Sequence, residues 1–211
     1  MLEFKKIETG FFPIYEFQLD VSLAEQCRKE LENTPTVENN LNTTITNQPD
    51  LTKPSNYWNT EAMVLFNKAV NTVKNEIINP KLSMVITECW GNRTDKFQRH
   101  HPHIHRNSIL SGIWYLTDST EATTNFYYPN PWGFMNDFMP ILSSETREIQ
   151  KSIVPEVGKL IIFPSNLRHN TSPNLTPTPR FTIAFNAFVD GRIGDQRISL
   201  EFKTTELKEP K

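Results

Sequence analysis

The chain has 211 residues, 22 basic and 24 acidic side chains, a net charge of -2 and 37% hydrophobic residues, enough for one buried core, so residues 1–211 are read as a single domain. Charges of both signs are spread along the chain, which argues against a basic stripe for nucleic acid. The two cysteines, Cys27 and Cys89, lie far apart and outside any CxxC spacing, which argues against a disulfide framework or a zinc module and for a reducing compartment.

The start, MLEFKKIETG, lacks the apolar stretch of a signal peptide, and apolar runs such as Leu160 to Phe163 are far too short to cross a bilayer, so a cytoplasmic, membrane-free protein is expected. The segment 11–19, FFPIYEFQL, predicts an early strand. Ser22-x-x-Glu25 then opens a short helix as a capping box, with Leu23, Cys27 and Leu31 inward. Residues 33–56 are rich in Asn, Thr and Pro and read as a long loop. From Thr60, the set Ala62, Phe66, Ala69, Val73 and Ile77 repeats at helical spacing, giving an amphipathic helix that ends by Asn79-Pro80.

Beyond Pro80 the texture changes to strands, at 82–90, 109–116, 123–129, 159–164, 180–189 and 198–203, followed by a polar tail at 204–211. Many strands after two helices predict a mainly β fold, a jelly-roll double sheet over residues 81–203, with residues 1–80 as an N-terminal buttress.

The five histidines fall in two places: four in HHPHIH (100–105), the fifth at His169 after the strand KLIIFP. In extended backbone alternate residues share a face, so His103 and His105 can address one ion, with His101 a possible third. Imidazole suits Fe, Zn, Cu and Ni alike, so the cluster says metal and leaves the element open. Eleven residues after His169, Arg180 and Thr182 lie on one face of a strand, a guanidinium fork beside a hydroxyl, which is suited to a carboxylate. An anion bound near the metal is the inference.

From about Cys89 to Val189 the chain resembles the 2-oxoglutarate and Fe(II) dependent oxygenases, in particular the small bacterial and phage group related to prolyl 4-hydroxylases. The resemblance is carried by HIHRNSILSGIWYL, PEVGKLIIFPSNLRH and RFTIAFN. It implies a double-stranded β-helix, iron held by His103 and His169, and the distal carboxylate of 2-oxoglutarate held by Arg180 with Thr182 and Tyr115 assisting. It also implies O2 as co-substrate and hydroxylation coupled to decarboxylation of 2-oxoglutarate. His105 stands where most of the superfamily carries an Asp or Glu; it is taken as the third iron ligand, with His101 and Asp95 in reserve. The aromatic stretch 125–134, running into MNDFMPILSSE, is a candidate lid. The substrate is a small molecule or a protein or peptide residue, a prolyl residue by analogy. Competing readings are a cupin-type metalloenzyme that does not use 2-oxoglutarate and a non-catalytic jelly roll with a structural metal. The sequence does not fix the oligomeric state.

Overall fold

The computed structural model describes residues 2–7, 13–38, 44–46, 60–77, 82–128, 150–194 and 199–203. Two antiparallel sheets face each other, and two helices cover the outer face of the larger one. Along that larger sheet the order is β1 (Lys5–Ile7), β2 (Ile14–Gln18), β9 (Lys159–Pro164), β6 (Leu110–Tyr115), β11 (Arg180–Gly194), β5 (Ser83–Thr94), β4 (Thr44–Thr46) and β3 (Thr36–Glu38), with β12 (Ser199–Phe202) paired to β11. The smaller sheet runs β10 (Arg168–Thr171), β7 (Thr124–Tyr127), β8 (Gln150–Ile153). This is the double-stranded β-helix with a helical buttress that the strand pattern predicts.

The period of two in the central strands sorts side chains between two cores. On β11, Phe181, Ile183, Phe185, Ala187 and Val189 face the helices in unbroken alternation; the register shift opposite Asn186 and Ala187 leaves Thr87 as an extra residue on β5, whose buried set passes there from Met84 and Ile86 to Cys89. Helix α1 (Val21–Glu32) contributes Leu23, Ala24, Cys27 and Leu31, and α2 (Thr60–Ile77) contributes Ala62, Phe66, Ala69, Val70 and Val73. The ring of Phe66 stacks on Phe185 at 4.9 Å and meets Trp114 edge-on at 5.4 Å. The second core lies between the sheets and consists of Ile14, Tyr115, Phe126, Ile153, Ile161, Phe163 and Leu167.

Four expectations change. The cap of α1 is Asp20, whose Oδ1 accepts from the Leu23 N–H at 3.0 Å; Ser22 lies inside the first turn and donates to Asp20 instead. The stretch read as a loop at 33–56 contains β3 and β4, short strands whose Thr and Val content favours the pleat. Ile77, the last residue of α2, is exposed, and Val70 joins the buried stripe. Two strands without a period-two apolar signal, β8 and β10, were not expected; they form the edges of the small sheet. The candidate lid beyond residue 128 and the tail at 204–211 lie outside the described residues.

Candidate active site

The segment carrying four of the histidines is a loop rather than a strand, stitched to the sheets at two points. His103 and His169 form an isolated antiparallel bridge, each N–H donating to the other's carbonyl, at 2.9 and 3.0 Å. The His105 N–H donates to the carbonyl of Ser165, at the end of β9, at 3.0 Å. Because β10 pairs with β7, His169 is held opposite Phe126, and Phe163, 4.8 Å from the Phe126 ring, lies 4.9 Å from His169. These backbone bonds bring the three rings together: centroids are 4.4 Å apart for His103 and His169, and 5.1 Å for His105 to each of the others. One nitrogen from each lies within 4.8 Å of the others.

Two of the three tautomers follow from geometry. Nδ1 of His103 lies 2.7 Å from the carbonyl of His101, and Nδ1 of His169 lies 2.9 Å from the carbonyl of Leu167. A carbonyl only accepts, so both Nδ1 atoms carry hydrogen and both Nε2 atoms keep a lone pair for a cation. Burial lowers the pKa of all three rings, that of His105 to about 4 and that of His169 well below its ordinary value, the proximity of His103 adding to the effect in both of these. The imidazoles are therefore neutral at pH 7, the form that binds metal. Among the described residues no fourth side chain joins the cluster, which leaves room for exchangeable ligands, as catalytic sites require.

A second constellation lies on the inner face of the large sheet. Arg180 on β11 is opposite Thr94 on β5, and Thr182 is opposite both Asn92 on β5 and Tyr115 on β6. All five side chains are buried. Arg180 donates through Nη1 to the carbonyl of Ala122 at 2.6 Å, but its Nε, Thr94 Oγ1 and Asn92 Oδ1 have no hydrogen-bond partner among the described residues. Thr182 Oγ1 accepts from Asn92 Nδ2 at 3.3 Å, and the Tyr115 hydroxyl shares a 2.8 Å hydrogen bond with Thr124. A buried guanidinium with an unspent N–H, beside unspent hydroxyl hydrogens on the same face, is a cradle that a carboxylate would satisfy.

The reserve ligands stand apart. His101 is exposed and Asp95 pairs with Arg93 at 2.9 Å, so neither joins the cluster. His100, given no role by the sequence reading, packs its ring 5.9 Å from that of His103, and its backbone N–H is anchored on Thr171 Oγ1 at 2.8 Å. Burial first, then Arg180, push its pKa down to about 3. It was missed because strand alternation places 101, 103 and 105 together, whereas the loop turns 100 inward and 101 out. Trp90, to which the sequence reading gives no role, is half-buried with its ring 5.7 Å from that of His105. Asn186 lies on the same inner face, joined to Ser111 and Glu88.

Residues 88–186 match the family described as "Putative 2OG-Fe(II) oxygenase". Among solved structures, the fold is similar to HygX from Streptomyces hygroscopicus with nickel and 2-oxoglutarate bound, at a TM-score of 0.60 and 16% identity over 82% of each chain. It is also similar to a Pseudomonas putida prolyl-4-hydroxylase, at 0.55 and 11% identity over 82% of this chain and 91% of that one. A third similar structure is the viral collagen prolyl hydroxylase vCPH from Paramecium Bursaria Chlorella virus-1 in its 2OG complex, at 0.56 and 11% identity over 82% and 94%. No curated protein sequence matches this chain.

Proposed function

We propose that this chain, whose residues 88–186 match a family of 2-oxoglutarate and Fe(II) dependent oxygenases, hydroxylates an organic substrate at a centre formed by His103, His105 and His169. The observation that carries the reading is the pairing of two half-built sites: three neutral imidazoles around one point, and a buried Arg180 with an unspent N–H in the same barrel. The imidazoles would hold Fe(II), two of them through Nε2. Arg180 would hold the distal carboxylate of 2-oxoglutarate, with Thr182 and Tyr115 beside it.

When bound, iron and 2-oxoglutarate supply the oxygen chemistry, in which O2 and 2-oxoglutarate yield succinate, CO2 and one oxygen atom inserted into a substrate C–H bond. The chain's own contribution is position and dryness. The carbonyls of His101 and Leu167 hold His103 and His169 in one tautomer, and Phe126 and Phe163 wall the His169 side against water. With three neutral ligands and no carboxylate, the centre is one charge more positive than a two-histidine, one-carboxylate site, which favours anionic 2-oxoglutarate. The substrate we assign is a residue of a protein or peptide, prolyl by analogy with the fold's hydroxylases. A set of three donors among the described residues, rather than four, argues against a purely structural metal, and the unspent Arg180 against a cupin enzyme without 2-oxoglutarate.

Anaerobic titration with Fe(II), with and without 2-oxoglutarate, tests the reading. A weak visible charge-transfer band is expected on adding 2-oxoglutarate to the iron-loaded protein, lost in His169→Ala and requiring about 100-fold more 2-oxoglutarate in Arg180→Ala, the size of a two-point charge-assisted contact. Metal binding without the band would sink the proposal.

A further inference from the structure

The inner face of the large sheet has a second polar end. Four groups form a chain there: Ser165 Oγ lies 2.8 Å from Ser111 Oγ, Ser111 Oγ donates to Asn186 Oδ1 at 2.7 Å, and Asn186 Nδ2 donates to Glu88 Oε2 at 2.8 Å. Its sense is forced. An ionised carboxylate only accepts, so the amide nitrogen of Asn186 faces Glu88 and its carbonyl faces Ser111; Ser111 must then donate to Asn186, and Ser165 to Ser111. Both serines and Asn186 are at most 3% exposed, whereas Glu88 is exposed. Three buried groups thus spend their hydrogens to fix one carboxylate whose other oxygen has no partner among the described residues.

Glu88, Trp90, Asn92 and Thr94 alternate on β5 opposite Asn186, Ala184, Thr182 and Arg180 on β11. One floor therefore carries the guanidinium at one end and a carboxylate at the other, about 20 Å apart at strand spacing. Between them, the half-buried Trp90 stands beside His105, and the residue opposite it, Ala184, is too small to fill the space. A carboxylate next to an indole is an arrangement that recognises an organic cation, one group supplying charge and the other its π face.

We infer that Glu88 and Trp90 form a subsite for an ammonium or guanidinium group of the substrate, seated beside His105 at the exposed end of the inner sheet face. The site rests on this geometry; only the naming of its occupant as the substrate rests on the oxygenase reading. Bound there, a basic residue of the peptide would anchor its neighbour in the chain toward the histidine cluster.

The test uses two matched probes, Nα-acetyl-lysine amide and Nα-acetyl-norleucine amide, with binding to the metal-free protein read by saturation-transfer NMR. The lysine probe is expected to bind about tenfold more tightly, roughly one charge-assisted contact. In Glu88→Gln, which keeps an acceptor for Asn186 and the shape of the side chain, that preference should vanish; in Glu88→Lys it should reverse. Equal binding of the two probes to wild type, or a preference that survives in Glu88→Gln, overturns the subsite. Failure of 2-oxoglutarate to bind the iron-loaded wild type overturns instead the oxygenase reading.

Discussion

A histidine buried without its proton is stable only as long as the surroundings reward neutrality, which sets how this protein responds to acid. In the unfolded chain His100 and His105 take up protons near their ordinary value of 6.5, whereas burial depresses them to about 3 and about 4 in the fold. Their contribution to stability is therefore complete above pH 6.5 and is lost as pH falls toward 4, because the unfolded state then binds more protons than the folded one. The metal-free protein should show a melting temperature that is flat near neutrality and falls from about pH 6.5 downward, with a shallower fall in His105→Ala. A wild-type melting temperature independent of pH between 7 and 4.5 would contradict the burial of these rings. The same depression leaves the lone pairs of His103, His105 and His169 available to a cation at pH 7.

At the scale of elements, the site depends on how closely β6 approaches β11 over the outer core. Gly112 on β6 is paired with Phe185 on β11, and a Cβ added at Gly112 would meet the Phe185 ring at 2.1 Å. The glycine is needed for close approach, since Phe185 lies flat where a side chain would stand and stacks there on Phe66 from α2. Its neighbours Ser111 and Ile113 face the other way, into the barrel. Gly112→Ala should destabilise the fold by about 2 kcal/mol, the range of a core overpacking, and Phe185→Leu in the same chain should recover part of the loss. Urea denaturation of the single and double variants measures both; additive losses would show that the Phe185 contact is not the cause. The helices behind this sheet serve the site indirectly, by fixing the strands whose opposite faces carry Arg180 and Tyr115.

Over the whole molecule, the candidate ligands come from both sheets and from the loop between them. His169 is on β10 of the small sheet, His105 is tied to the end of β9, and Arg180 is on β11 of the large one. A metal and an anion held there would link the two sheets, so both should stabilise the fold by mass action. At about 100 times its dissociation constant a ligand adds about 2.7 kcal/mol if it binds only the folded state. Mn(II) should raise the melting temperature of wild type by several degrees and 2-oxoglutarate should raise it again; Arg180→Ala should keep the first increment and lose the second. A second increment that persists without Arg180 would remove that residue from the anion site.

The sequence alone was enough for the fold class, the two helices, seven of the strands and the grouping of His103, His105 and His169. The physical reason is that these features are written in local periodicity: a spacing of two for a pleated strand, of three and four for a helix, and a density of imidazoles that core packing does not require. It did not determine which side chains flank them. His100 and His101 are adjacent and chemically identical, and only the turn of a loop bonded to β10 and β9 places one inward and the other in solvent. The Asp20 cap, the edge strands β8 and β10, and the chain from Ser165 to Glu88 were likewise illegible, since each depends on hydrogen bonds between residues whose partners are set by packing. Ser165 and Ser111 are 54 residues apart and Asn186 and Glu88 are 98 apart; only the antiparallel register of β5, β11, β6 and β9 brings them into one line on one face.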